Sequence, residues 1–162
     1  SDLTFNNYIK LFTDTSILNF PKMFMNTFVI AIFTCIISTI FVLSVAYSMS
    51  RMRFKMRKPF MNIAMIIGLF PSFMSMIAVY YILRALNLAD GAMIRVALII
   101  VFSAGSGAGF YVAKGFFDTI SKSLDEAAII DGATRWNVFT KITVPLSKPI
   151  IVYTILTSFM GP

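Results

Sequence analysis

The chain contains no histidine and a single cysteine, Cys35. Within these residues that excludes a Ser/His/Asp triad, a disulfide and a Cys/His metal site. Cys35 lies in an apolar run, where a thiol packs as a small hydrophobe. Acidic residues are scarce and unevenly placed: none occurs between Asp14 and Asp90, nor between Asp90 and Asp118. No long apolar run therefore carries a carboxylate, and ion-coupled transport, which commonly uses intramembrane carboxylates, finds no support. An intramembrane enzyme lacks a nucleophile and base pair, metal ligands and a buried acid.

What the sequence has in abundance is apolar surface. Hydrophobic residues make up 58% of 162 positions, with 17 Phe and 11 Met, far above the content of a soluble domain. The expected fold is all-α, a polytopic transmembrane helical bundle. The opening 22 residues mix Asp2, Lys10, Asp14 and Lys22 with aromatics and are too polar to span, so they read as an interfacial lead-in. Charge-poor runs then predict spans over about 23–50, 60–83, 94–113 and 150–162, the last cut short at Pro162. A polar segment over 118–149 separates the third and fourth. From these limits the chain is expected to be a fragment.

The net charge of +7 points to topology, because its basic residues gather at the ends of apolar runs and not on one polar face; no nucleic-acid partner is implied. Arg51, Arg53, Lys55, Arg57 and Lys58 follow the first span, and Lys114, Lys122, Arg135, Lys141 and Lys148 flank or occupy the polar segment. Only Lys10, Lys22, Arg84 and Arg95 fall to the other side. The excess puts the first linker and the 118–149 segment in the cytoplasm.

Two features interrupt the spans. "SAGSGAGF" brings Gly105, Gly107 and Gly109 into the third, with Gly105 and Gly109 at G-x-x-x-G spacing. Small residues so spaced let helix backbones approach, or they line a solute path near the midplane. A phosphate-cradling loop would need a preceding strand. Pro71 removes a backbone donor in mid-span and predicts a kink or a gate, with Ser72 and Ser75 near the freed carbonyls. Tyr80, Tyr81 and Phe110 are aromatics that either stack on a sugar ring or face lipid and core.

The polar segment "SLDEAAIIDGATRW" has local signals of its own. Ser123 followed by Glu126 reads as a capping box, with Asp125 and Glu126 in the first turn favoured by the helix dipole, so a helix is expected from Leu124 to about Asp131. Gly132 stops it, and Thr134 caps a second helix over about 135–142 that ends before Pro145. Trp136 and Phe139, at i and i+3, would anchor the pair to the span ends, although Trp136 equally suits an interfacial aromatic. Local physics leaves open whether this is a well-capped surface loop or a docking element with Ala127 and Ala128 as its small face.

"EAAIIDGATRWNVFTKITVPLSKP" resembles the signature loop of binding-protein-dependent ABC importer permeases, with Glu126, Ala127, Ala128, Gly132, Ile142 and Pro145 at the motif positions, Asp131 before the glycine, and Val144 in place of the usual leucine. "FMNT", "AYSMSRMRF", "LFPSFMSMIAVYYIL" and "GFYVAKGFFDTISKSLDEAA" are similar to the sugar-importing branch, and within it to the second, MalG-type permease of maltose and maltodextrin importers. The resemblance implies a type I ABC importer permease fold lacking its first span and C-terminal end, in a multi-pass protein of a bacterial inner membrane. It also implies a second permease subunit, a cytoplasmic ATPase dimer, an extracellular solute-binding protein and a sugar substrate. The 126–132 loop would be the coupling helix; ATP would bind the partner, leaving this chain without a cofactor or bond chemistry of its own. The alternatives are another sugar in the same class, or an ATP-independent secondary carrier.

Overall fold

The computed structural model describes residues 5–13, 19–91, 93–105 and 109–161, and every regular element among them is helical. A short amphipathic helix, α1 (Asn6–Thr13), precedes α2 (Phe20–Arg51), which is 32 residues long. Asn19 caps α2 by accepting from the Lys22 N–H at 3.1 Å, and Pro21 occupies the first turn, where its missing donor costs nothing. Met52 turns extended at φ −89°, ψ 142°, and ends the helix. At 1.5 Å per residue α2 is about 48 Å long, and it is long and apolar enough to cross a ~30 Å hydrocarbon core.

Helix α2 is the mast of the fold. α5 (Met93–Gly105), α6 (Phe110–Thr119) and α10 (Lys148–Met160) all pack on it. Near its C-terminal end, Val42, Leu43, Ala46, Tyr47 and Met49 meet Phe110, Ala113 and Phe117 of α6 and Ile150 of α10. Ala46 and Ala113 are fully buried, and small side chains at such positions let backbones approach where lipid offers no hydrophobic drive. Nearer the middle the buried positions are again small: Ala31, Thr34 and Ser38 on α2, with Thr154 and Ser158 on α10. Thr154 Oγ1 returns its proton to the Ile150 carbonyl at 2.8 Å, satisfying itself within the helix. Cys35 sits half-buried and its Sγ donates to the Ile155 carbonyl of α10 at 3.4 Å, a helix contact for the lone thiol.

Two of the four expected spans are divided, while the fourth lies, through Met160, within the single helix α10. The run over 60–83 divides into α3 (Arg57–Gly68) and α4 (Ser72–Ala85), joined through Pro71 and bent by 98°, so the helix opens at the proline whose missing donor marks the site. Pro71 sits at φ −59°, ψ 129°, leaving the helical region while its carbonyl opens α4 by accepting from the Met74 N–H at 3.0 Å. No residue of α3 is buried; Met61 and Phe60 tether it to α6 through Tyr111 Oη–H donating to the Met61 carbonyl and a Phe60–Phe110 ring contact at 6.3 Å. α4 ends on Asn87, which takes φ 56°, with the Leu88 N–H returning to the Leu83 carbonyl at 2.8 Å.

The third run also divides. α5 stops at Gly105, and α6 begins after Gly109 and extends to Thr119, six residues past the expected limit of 113, with a 44° bend between the two. Gly105 and Gly109 thus do not share one straight helix face. A Cβ on Gly109 would touch Val42 of α2 at 3.9 Å, whereas one on Gly105 would meet nothing within 4 Å, so close packing belongs to Gly109. Gly107 lies outside the described residues. Phe110 is buried against Tyr111, with ring centroids 4.2 Å apart, and so belongs to the core and to no open path.

Candidate functional site

The polar segment folds as two short helices at the Arg51 end of α2. The first, α7 (Lys122–Ile130), begins on Ser121, not on Ser123. Ile120 and Ser121 are both extended after α6, and Ser121 Oγ accepts from the Ser123 N–H at 3.3 Å, so the cap falls two residues earlier than the capping box predicts. Glu126 therefore lies beyond the first turn, exposed and free of any capping duty, and only Asp125 is a first-turn acid.

Gly132 behaves as expected. Its φ is +87°; its N–H reaches the Ile129 carbonyl at 3.0 Å and the Ala133 N–H reaches the Ala128 carbonyl at 2.9 Å, the paired bonds of a Schellman ending. Thr134 then caps α8 (Arg135–Val138) by accepting from the Asn137 N–H at 3.2 Å. The second helix does not stop before Pro145. It widens into a π turn over Phe139–Thr143 and continues as α9 (Val144–Leu146), and the bend of 84° comes only at Ser147. The extra residue per turn accommodates Pro145, whose ring would strike a carbonyl four residues back in a regular α-helix.

Three contacts fasten this elbow to the spans. Arg51, last residue of α2, places Nε 3.1 Å from Asp125 Oδ2, with side chains only 2% and 13% exposed, and its Nη2 donates to the Ile120 carbonyl at 2.8 Å. Ser50 Oγ donates to Asp118 Oδ1 at 2.6 Å, while Lys114 pairs with the other oxygen. Tyr47 packs its ring 4.7 Å from Phe139, and Phe139 lies 5.8 Å from Trp136. Phe139 is thus the anchor, and Trp136 stays 70% exposed. The sequence reading missed Arg51, Asp118 and Asp125 as fasteners. Its signal was available in "YSMSR" ending the charge-free run over 23–50, since an arginine at a span end needs a counter-charge if the loop folds over it.

On the outer side the elbow is bare. Glu126, Ala127, Asp131 and Pro145 are exposed, Ile130 is 85% exposed, and Ala128 and Ile142 are half-buried. The elbow thus presents an apolar tip flanked by carboxylates, on a frame tied to the longest helix.

The family model for the binding-protein-dependent transport system inner membrane component matches residues 39–162. The chain belongs to this family. It is 32% identical over 98% of its length to the galactooligosaccharides transport system permease protein GanQ of Bacillus subtilis (strain 168), covering 56% of that protein. It is also 32% identical over 99% of its length to the maltodextrin transport system permease protein MalD of Streptococcus pneumoniae (strain ATCC BAA-255 / R6), again covering 56%. Among solved structures it is similar to a bacterial ABC transporter involved in the import of the acidic polysaccharide alginate, with a TM-score of 0.83, 28% identity, and coverage of 99% of this chain and 54% of that one. The chain spans about half the length of the curated relatives it matches. The all-helical permease fold and the likeness to the MalG-type, carbohydrate branch of the inner membrane component family are both upheld.

Proposed function

We propose that this chain is part of the membrane-spanning permease subunit of an ATP-driven sugar importer, passing an oligosaccharide from an extracellular binding protein to the cytoplasm by alternating access. The observation that carries the reading is the capped elbow of α7 and α8, held to α2 by the buried Arg51–Asp125 pair while Glu126, Ala127 and Ile130 stand exposed. In this reading the exposed face, with Glu126, Ala127, Ala128, Asp131 and Gly132 along it and Ile142 and Pro145 behind, seats on a cytoplasmic ATPase. Closure of the ATPase dimer pushes the elbow, and Arg51 passes the displacement to α2 without hydrolysis chemistry in this chain. The partner permease and the solute-binding protein complete the path. Maltodextrin is the preferred substrate, supported by relatives named for it at 32–33% identity.

The test is sugar uptake by cells carrying the full-length permease with its partners. Ala128→Lys should abolish uptake and ATPase co-purification while the permease still inserts. Glu126→Gln, which disturbs no cap, should lower uptake several-fold with unchanged permease stability. Normal uptake in both variants would overturn the docking role, and labelled maltotriose failing to enter wild-type cells that take up another oligosaccharide would overturn the substrate.

A further inference from the structure

Behind α7 lies a cavity of about 540 Å³ that shares only Glu126 with the docking face. Its walls come from the last residues of α2, the linker into α3, α7 and Arg135. Arg51 and Asp125 line it and neutralise each other; the remaining charges are Arg53, Arg57, Lys122 and Arg135 against Glu126 alone. Four cations facing one acid around a space of this size form an anion site.

Two further observations define what enters. Arg51, 2% exposed at its side chain, has Nη1 buried with no hydrogen-bond partner among the described residues, and Asp125 Oδ1 is buried in the same condition. Arg51 Nε, although in ion-pair contact with Asp125, also makes no hydrogen bond, so the inner wall has unused guanidinium donors and one unused carboxylate acceptor, which a phosphate oxygen together with a ligand hydroxyl would satisfy. The cavity also opens where α2 ends and α3 begins, so its cations directly follow a long apolar helix, the sequence position at which basic clusters meet anionic lipid. Ile130 and Trp136, the most exposed apolar residues of the elbow, lie outside its lining, and Glu126 is the one docking-face residue within it.

We propose that this cavity holds the phosphate of an anionic, hydroxylated phospholipid headgroup, clamping a lipid between α2, the α2–α3 linker and α7. Arg53, Arg57 and Lys122 hold the phosphate, and the Arg51–Asp125 pair closes the inner end.

The experiment uses the full-length permease in phosphatidylcholine bilayers and measures, by spin-label electron paramagnetic resonance, its preference for labelled phosphatidylglycerol over labelled phosphatidylcholine. Arg57→Gln should reduce that preference about fivefold, and Arg53→Gln/Arg57→Gln/Lys122→Gln should abolish it. Lys55→Gln/Lys58→Gln removes charge from the same linker but outside the lining, and should leave the preference nearly intact. Equal loss in that pair would mean diffuse attraction and would overturn the site. A wild-type chain without preference would overturn it too. Displacement of the lipid by millimolar inorganic phosphate would assign the cavity to a soluble phosphate and overturn the lipid. An unchanged preference in the triple variant, with loss of co-purifying subunits, would assign the cations to a protein partner instead. None of these readouts depends on sugar transport, so the lipid site and the importer role fail separately.

Discussion

At the scale of single residues, the Arg51–Asp125 pair decides whether the elbow belongs mechanically to the spans. Burying two charges is costly, and the pair holds because its members face each other at 3.1 Å with the Ile120 carbonyl taking a further Arg51 donor. Removing one partner strands the other. Asp125→Ala or Arg51→Ala should each destabilise the purified full-length permease by about 3–5 kcal/mol, whereas Arg51→Met/Asp125→Leu should recover most of that loss. Thermal unfolding measures all three, and a double variant no better than the singles would show that the pair is not the fastener. Transport should stay impaired in the recovered variant if charge, and not only packing, transmits the motion. The pair was not legible in the sequence because its members sit far apart along the chain, on either side of two spans. The local pattern cast Asp125 as a dipole residue, and the S-x-x-E spacing drew the cap to Ser123 when the extended backbone at Ile120 had already moved it to Ser121.

Among elements, those determined by backbone geometry were legible and those determined by neighbours were not. Gly132 and Thr134 were readable because a positive φ and a cap oxygen are local demands. The bend over 69–71 was under-read: Pro71 announces a missing donor, but the size of the turn depends on α3 being held by Tyr111 and Phe110 of α6, which no local rule supplies. The π turn before Pro145 was missed for a similar reason, since sequence rules offer only the choice of ending a helix or kinking it. The Gly132 ending supports a graded prediction. Asn87 closes α4 at φ 56° with the same pair of bonds, so asparagine is tolerated in this motif in this protein. Gly132→Asn should therefore cost only a few tenths of a kcal/mol and Gly132→Ala roughly 1–2 kcal/mol. Gly132→Pro, whose fixed negative φ is incompatible with +87°, should disorder the α7–α8 joint. Limited proteolysis of the elbow in the intact permease should rank them in that order; equal resistance for asparagine and proline would remove backbone conformation as the cause.

For the whole molecule, the question is which side of the membrane the elbow faces. Arg51 and Asp125 are in contact, so the first linker and the 118–149 segment lie at one end of α2, and the chain cannot put one inside and the other outside. Those two stretches, together with Lys114 of α6 just before the second, carry ten of the 14 basic residues, and reversing the topology would require moving all ten across the bilayer while retaining only Lys10, Lys22, Arg84 and Arg95. Orientation is thus set by two constraints that agree: a charge bias acting during insertion and an ion pair that forms only when both basic stretches arrive together. In a cysteine-free background of the full-length permease that includes Cys35→Ser, Lys22→Cys should react with a membrane-impermeant maleimide in intact cells. Asn137→Cys and Lys58→Cys should react only after permeabilisation. If Asn137→Cys labelled from outside, the elbow could not reach a cytoplasmic ATPase and the importer mechanism would fail with it. If Lys58→Cys and Asn137→Cys labelled from opposite sides, the Arg51–Asp125 contact itself would be excluded.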